Sequence, residues 1–144
     1  MSFQLDTYVS GRQRQRTILL VEDEPFVREA TRCILQSAGF EVLPAEDAAS
    51  ALKAYEARPS IDLVMTDMVL PGRTGQQLGQ DLRQRCPEVN VLVTSGYSNV
   101  EYETEDPAAR TYFLAKPYSR RSLIEKIESI LGAAPLQRVA RQVS

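Results

Sequence analysis

The sequence predicts an α/β fold, a doubly wound parallel sheet with helices on both faces. Three observations lead there. Short apolar runs recur at 18–21, 61–65, 89–93 and 112–114, separated by segments whose apolar residues have helical spacing. The second and third runs are nearly continuously apolar, as strands covered on both faces are. Each run is also followed by polar groups, namely Glu22-Asp23, Thr66-Asp67, Thr94-Ser95 and, after Ala115, Lys116. In parallel strands those groups emerge along one edge, where open α/β sheets build their sites. Strands alternating with helices of this length imply right-handed crossovers and two covering layers.

Each element has its own signal. Residues 1–16 are polar, with Arg12, Arg14 and Arg16 alternating with Gln, and read as a flexible arm or linker. A folded domain is expected over 17–132. After the first strand, Pro25 suits a first helical turn, and Phe26, Ala30, Cys33 and Ile34 mark a helix that Gly39 ends. A second strand at 40–45 contains Pro44, which belongs at a sheet edge because it cannot donate to a ladder. Asp47 caps a helix through Ala51, Leu52 and Tyr55 that stops before Pro59. After the central strand at 61–67, Pro71, Gly72 and Gly75 make a loop. Thr74 then caps a helix carrying Leu78 and Leu82. Beyond the strand at 89–95, residues 99–110 hold Glu101, Glu103, Glu105, Asp106 and Pro107 with little apolar periodicity, so a short or mobile helix is expected. The last strand precedes an amphipathic helix over 119–131, with Leu123, Ile124, Ile127, Ile130 and Leu131 on one stripe and Gly132 at its end. A tail at 133–144 has no periodic signal, and there is no internal repeat.

Composition narrows the functional classes. A chain of 144 residues with 43% hydrophobic and 25% charged residues can bury a real core as one domain. A net charge of −2 carries no basic field for nucleic acid or an anionic membrane. No apolar run approaches the ~20 residues of a membrane span. The first 16 residues lack an apolar signal-peptide core. The expectation is a cytoplasmic protein with no membrane contact and no direct nucleic-acid binding. Cys33 and Cys86 have no metal or redox spacing and read as reduced, partly buried thiols. The chain has no histidine, which excludes a histidine kinase core, a histidine phosphotransfer module and a His-ligated zinc site.

The strand-end residues Glu22, Asp23, Asp67, Ser95 and Lys116 read as one site. Each alone has an ordinary explanation: carboxylates cap helices, an Asp before Pro-Gly can be a turn residue, a lysine can be a solvated charge, and Ser-Gly is a common strand exit. Their joint order on successive strand ends points to function. Three carboxylates together are electrostatically costly without a cation, and a hard divalent ion, Mg²⁺, suits an all-oxygen site. Asp67 would be both metal ligand and nucleophile, able to hold a phosphoryl group as an acyl phosphate. Asp23 would share the ion, with Glu22 reaching it through water. Lys116 and the Ser95 hydroxyl would neutralise the remaining phosphoryl oxygens.

Four stretches carry a resemblance: Ile18-Leu-Leu-Val-Glu-Asp-Glu24, Asp67-Met-Val-Leu-Pro-Gly-Arg-Thr-Gly75, Val91-Leu-Val-Thr-Ser-Gly-Tyr97 and Phe113-Leu-Ala-Lys-Pro-Tyr118. Over 17–132 the chain resembles the receiver domain of two-component response regulators. That resemblance implies a flavodoxin-like five-stranded sheet in the order 2-1-3-4-5. It implies that Asp67 takes its phosphoryl group from a phosphohistidine on a histidine kinase or histidine phosphotransfer protein. It further implies that the Val69 carbonyl joins Glu22, Asp23 and Asp67 at the metal, that Lys116–Pro117 is a cis peptide, and that Ser95 and Phe113 form a conformational switch. Such a domain catalyses its own phosphorylation and dephosphorylation only. The departures from the family pattern are Thr74 for a common acidic residue, Leu70 for methionine, Ser95 for threonine, Phe113 for tyrosine, and Arg110-Thr111 for the usual Gly-Ala.

Several alternatives stay open at this point. The receiver could stand alone or belong to the C-terminus of a hybrid histidine kinase. A pseudo-receiver would only bind a partner. An aspartate-nucleophile phosphatase usually has a second Asp two residues after the first, where Val69 stands. A flavin-binding module needs a phosphate loop where Glu22-Asp23-Glu24 would repel one. The acidic segment 99–110 offers few apolar anchors, so a monomer or weak dimer is expected, docking its phosphodonor through the first helix near Phe26, Val27 and Ala30.

Overall fold

The computed structural model describes residues 15–58, 60–96 and 105–132. Five strands alternate with four helices: β1 Thr17–Val21, α1 Pro25–Ser37, β2 Glu41–Ala45, α2 Ala48–Ala57, β3 Leu63–Asp67, α3 Gly75–Arg85, β4 Asn90–Ser95, β5 Thr111–Ala115 and α4 Arg120–Leu131. The strands form one sheet in the order β2-β1-β3-β4-β5, and every pairing is parallel. The expected order is the observed one. Pro44 lies in β2, which has a neighbour on one side only.

The continuously apolar strands are explained by two cores, one on each face. Leu19, Val21, Val64, Val91 and Val93 face α2 and α3, packing with Ala51, Tyr55, Leu78 and Leu82. Their neighbours Ile18, Leu20, Leu63, Met65 and Leu92 face α1 and α4, packing with Leu35, Leu123 and Ile127. Successive side chains alternate between faces, so a strand buried on both sides needs apolar residues throughout. Each fully buried Leu or Ile contributes about 1.5–3 kcal/mol relative to exposure.

Helix starts are encoded locally. Asp47 and Thr74 cap α2 and α3 in reciprocal capping boxes with Ser50 and Gln77. Ser119 accepts the Ser122 N–H at 2.9 Å, and Gly132 closes α4 in the left-handed region.

Several expectations need correction. The buried positions of α1 are Thr31 and Leu35, with Ile34 and Ala38 partly packed, so the stripe drawn through Phe26, Ala30 and Cys33 is out of phase. Phe26 and Cys33 are exposed; only Cys86 is partly buried, and it is the C-cap of α3. The helix signal at 26 misled because Phe26 is apolar without facing the core. The loop after β3 contains a two-residue antiparallel ribbon, Val69–Leu70 against Arg73–Thr74. Within the acidic segment, residues 99–104 lie outside the described residues. The rest of that segment forms a 3₁₀ turn, Pro107–Ala109, and a bridge from Asp106 to Thr111. Of the expected arm, residues 1–14 lie outside the described residues, as does the tail at 133–144. Gln15 and Arg16 hydrogen-bond to the carbonyls of Gly39 and Leu131 at 3.1 and 3.0 Å.

Candidate phosphoacceptor site

Glu22 continues the ladder of β1, its N–H donating to the Ala45 carbonyl at 3.0 Å. That bond directs its side chain inward, where it is 6% exposed. Its Oε2 accepts the Glu24 N–H at 3.1 Å, and its carbonyl accepts Arg28 Nη1 at 2.7 Å. Asp23, one residue on, is exposed. Glu24 then starts α1 by accepting the Phe26 N–H at 3.0 Å.

Asp67 ends β3, and its backbone is fixed from both sides. The Met68 N–H donates to the Thr94 carbonyl at 2.7 Å, and the Gly75 N–H donates to the Met68 carbonyl at 2.7 Å. A Cβ on residue 75 would lie 2.4 Å from the Asp67 carbonyl oxygen, so this close approach requires glycine. The Asp67 Oδ1 accepts the Val69 N–H at 3.4 Å, and Oδ2 accepts Lys116 Nζ at 3.0 Å. Lys116 directly succeeds β5, its N–H held by the Ser95 carbonyl at 2.7 Å, and the Lys116–Pro117 peptide is cis.

The structure thus brings Glu22, Asp23 and Asp67 together, with one carboxylate oxygen from each within 4.8 Å of the others. Lys116 reaches the same cluster. Ser95 is fully buried at the end of β4, and Val69 is 63% exposed on the loop after Asp67. Phe113 lies in β5, half-buried against the α2/α3 core. Its N–H donates to Glu105 Oε2 at 3.0 Å, and the same carboxylate pairs with Lys126 on α4.

Lys116, expected in this site, brings one ammonium against three carboxylates. Burial pushes the Glu22 carboxyl above its ordinary value; Asp67 and Asp23 add to the rise, against the Glu24 N–H and Lys116. Partial burial works against the Lys116 ammonium, yet its bond to Asp67 outweighs this and holds its pKa above the usual lysine value. An all-oxygen set with excess negative charge fits a hard divalent cation such as Mg²⁺. Asp23, Asp67 and the Val69 carbonyl are the groups that would hold it, with Glu22 behind them.

Two neighbours were not legible in the sequence. Tyr118 packs on the α1/α4 core and, with Thr31 and Glu22, lines a narrow crevice beside Asp67. Tyr118 was part of a motif without a role of its own, and Thr31 was hidden by the misphased stripe on α1.

Comparison with known proteins agrees with this geometry. Residues 18–128 match the model of the response regulator receiver domain. The chain belongs to this family. It is 32% identical over 115 residues to the sensory transduction protein RegX3 of Mycolicibacterium smegmatis, covering 80% of this chain and 50% of that protein. It is 35% identical over 117 residues to the sensor kinase CckA of Brucella abortus, covering 80% of this chain and 12% of that one. The chain therefore spans half or less of the length of these relatives. Among solved structures, the response regulator TrrA of Thermotoga maritima, in complex with Mg²⁺-BeF, superposes with a TM-score of 0.71 at 28% identity, covering 81% of this chain and 99% of that one. The matched span contains every residue of the acidic cluster. The protein is thus a receiver domain of two-component signalling, and among its described residues no helix is long and apolar enough to cross a membrane.

Proposed function

We propose that this receiver is the phosphoacceptor of a cytoplasmic phosphorelay, with Asp67 as the residue phosphorylated. The observation that carries the reading is the convergence of Glu22, Asp23 and Asp67 within 4.8 Å, with Lys116 Nζ 3.0 Å from Asp67 Oδ2. A pseudo-receiver or a plain partner-binding module has no need of that charged set.

Asp23, Asp67 and the Val69 carbonyl would hold Mg²⁺, which would supply the positive charge that lets an anionic carboxylate approach an anionic phosphoryl group. An Asp67 oxygen attacks phosphorus in line with the bond to a phosphohistidine nitrogen. The P–O bond forms, the P–N bond breaks, and the imidazole leaves, taking a proton from solvent. Lys116 transfers its contact to a phosphoryl oxygen, and the Ser95 hydroxyl donates to another. Drawing Ser95 toward the phosphoryl group frees space for Phe113 to turn inward, a shift between two conformations biased by those new contacts. Hydrolysis of the acyl phosphate restores Asp67.

The donor is a histidine kinase or a histidine phosphotransfer protein. Phe26 and Val27, 86% and 39% exposed beside the site, suit its docking. We expect a monomer or weak dimer.

Incubation with acetyl phosphate tests the reading by intact mass. The wild type gains one phosphoryl group with Mg²⁺ and little without it. Asp67→Asn, which keeps the shape but removes the nucleophile, gains none. Full labelling of that variant at another residue would sink the proposal.

A further inference from the structure

The turn from β1 into α1 carries two of the clustered carboxylates, and one side chain of the helix folds back over it. Arg28, half-buried near the start of α1, donates from Nη1 to the Glu22 carbonyl at 2.7 Å. Its own backbone N–H donates to the Glu24 carbonyl at 2.8 Å. The Glu22 carbonyl and the Asp23 nitrogen belong to one planar peptide, so a grip on that oxygen fixes the plane from which Asp23 projects. The other bonds here hold Glu22 itself: its N–H to the Ala45 carbonyl, and its Oε2 accepting the Glu24 N–H. Among the described residues the Asp23 carboxylate has no hydrogen bond or ion pair, although it lies within 4.8 Å of its partners in the cluster. Its place beside Asp67 is therefore set through its backbone. The charge of Arg28 has no local use of the ordinary kind. A cation this close to a helix N-terminus is opposed by the helix dipole. Among the described residues Arg28 forms no ion pair, and its donor goes to a neutral carbonyl instead.

We propose that Arg28 is a positioning residue for the cation site, its guanidinium holding the Glu22–Asp23 peptide so that the Asp23 carboxylate faces Asp67. A guanidinium suits this task because it stays charged at any working pH and its bond to a carbonyl is charge-assisted. The inference rests on the phosphoacceptor reading, from which it is separable by experiment.

Position and charge predict opposite signs. Removing a cation beside a divalent-ion site strengthens Mg²⁺ binding by Coulomb's law, whereas releasing the peptide weakens it. Arg28→Met keeps the aliphatic stem and removes both the donor and the charge. Calorimetric titration of the full chain with Mg²⁺ decides the sign, beside thermal melts of the metal-free protein. Arg28→Met should bind Mg²⁺ about three- to tenfold more weakly, the change that one hydrogen bond is worth. Arg32→Met, which removes the same charge one turn further along α1, should stay within about twofold of wild type. An equal loss in both variants would trace the effect to the helix as a whole and overturn the proposal. Unchanged or tighter binding in Arg28→Met would overturn it too. A lower melting temperature with Mg²⁺ affinity within about twofold of wild type would mean that the contact only secures the turn, and would also overturn it. A second measurement uses the wild type, so it holds even where Arg28→Met does not fold. The Arg28 guanidinium should show hindered rotation by nuclear magnetic resonance with and without Mg²⁺, and free rotation in either state would overturn the proposal. A wild type that takes up neither Mg²⁺ nor a phosphoryl group would overturn the phosphoacceptor reading and this inference with it. A wild type that takes up both, with Arg28→Met indistinguishable from it, would overturn this inference alone.

Discussion

Glu41 and Asp62 lie where strands begin, and Glu22, Asp23 and Asp67 lie where strands end. At the first edge Glu41 meets the Arg58 guanidinium through two contacts of 3.1 and 3.2 Å and the Thr17 hydroxyl at 3.0 Å. Asp62 accepts the Thr17 N–H at 2.7 Å. At the second edge three carboxylates cluster, and Lys116 pairs with Asp67. The consequence is opposite in sign. Arg58, then Thr17, hold the Glu41 carboxyl below its ordinary value, whereas burial and its neighbours hold Glu22 above it. A fold selected for stability alone would treat both edges like the first. The second edge leaves a deficit of positive charge that a divalent cation and a phosphoryl group together can answer.

The largest expected effect comes from supplying that charge. A ligand that binds only the native state at a hundredfold excess over its Kd stabilises by about 2.7 kcal/mol. Mg²⁺ at such a concentration should raise the melting temperature of the wild type clearly, and that of Glu41→Gln by the same amount. Asp23→Ala should lose most of the gain, and Glu22→Ala less, because Asp23 is the exposed, directly facing carboxylate. Thermal melts with and without the ion check this. Equal gains in wild type and both site variants would put the cation elsewhere.

A smaller effect separates the edges in the metal-free protein. The stability from a raised carboxyl pKa is present below the ordinary carboxyl value of 4.5 and is lost as pH rises through the raised folded value. At neutral pH the Glu22 charge therefore works against folding. Glu41 is the reverse: its contribution is present above 4.5 and is lost as pH falls through its lowered folded value. Glu22→Gln should raise the metal-free melting temperature at pH 7 by roughly 2–4 °C, and Glu41→Gln should lower it. The Glu22→Gln gain should shrink toward pH 4. Shifts of the same sign in the two variants would break the contrast.

Most of the architecture was legible because parallel strands buried on two faces must be apolar throughout, and their polar exits then fall on one edge. Pro44 identified the sheet border for the same kind of reason: it cannot donate a ladder hydrogen bond. The site was legible to the extent that its residues sit at strand ends, as Glu22, Asp67 and Lys116 do. The features that escaped depended on rotation about a helix axis. One residue of phase on α1 moved Phe26 and Cys33 to solvent and Thr31 to the core, and with Thr31 went the environment of Tyr118. The tight contact of Gly75 with the Asp67 carbonyl also escaped, since a glycine in a Pro-Gly loop has a sufficient local explanation. The pairing of Glu105 with Lys126 joins residues 21 apart, a distance over which periodicity says nothing.

The smallest expected effect tests whether the strand-start edge is as relaxed as its paired charges imply. Arg110, which leads into β5, has φ 56° and ψ 39°, in the left-handed region. Its N–H donates to the Pro107 carbonyl and its carbonyl accepts the Val91 N–H, each at 3.0 Å, so the conformation is held by the backbone while the side chain is exposed. A side chain in this region costs about 1–2 kcal/mol, and glycine avoids that cost but loses about 0.5–1 kcal/mol more chain entropy on folding. Arg110→Gly should therefore stabilise by about 0.5 kcal/mol, raising the melting temperature by roughly 2–4 °C. Phosphorylation of Asp67 by acetyl phosphate should be unchanged, because residue 110 lies at the opposite end of β5 from Lys116. A stabilised variant with altered phosphorylation would show that the two edges are coupled along β5. A destabilised one would show that the Arg110 side chain holds the turn by contacts that outweigh its backbone strain.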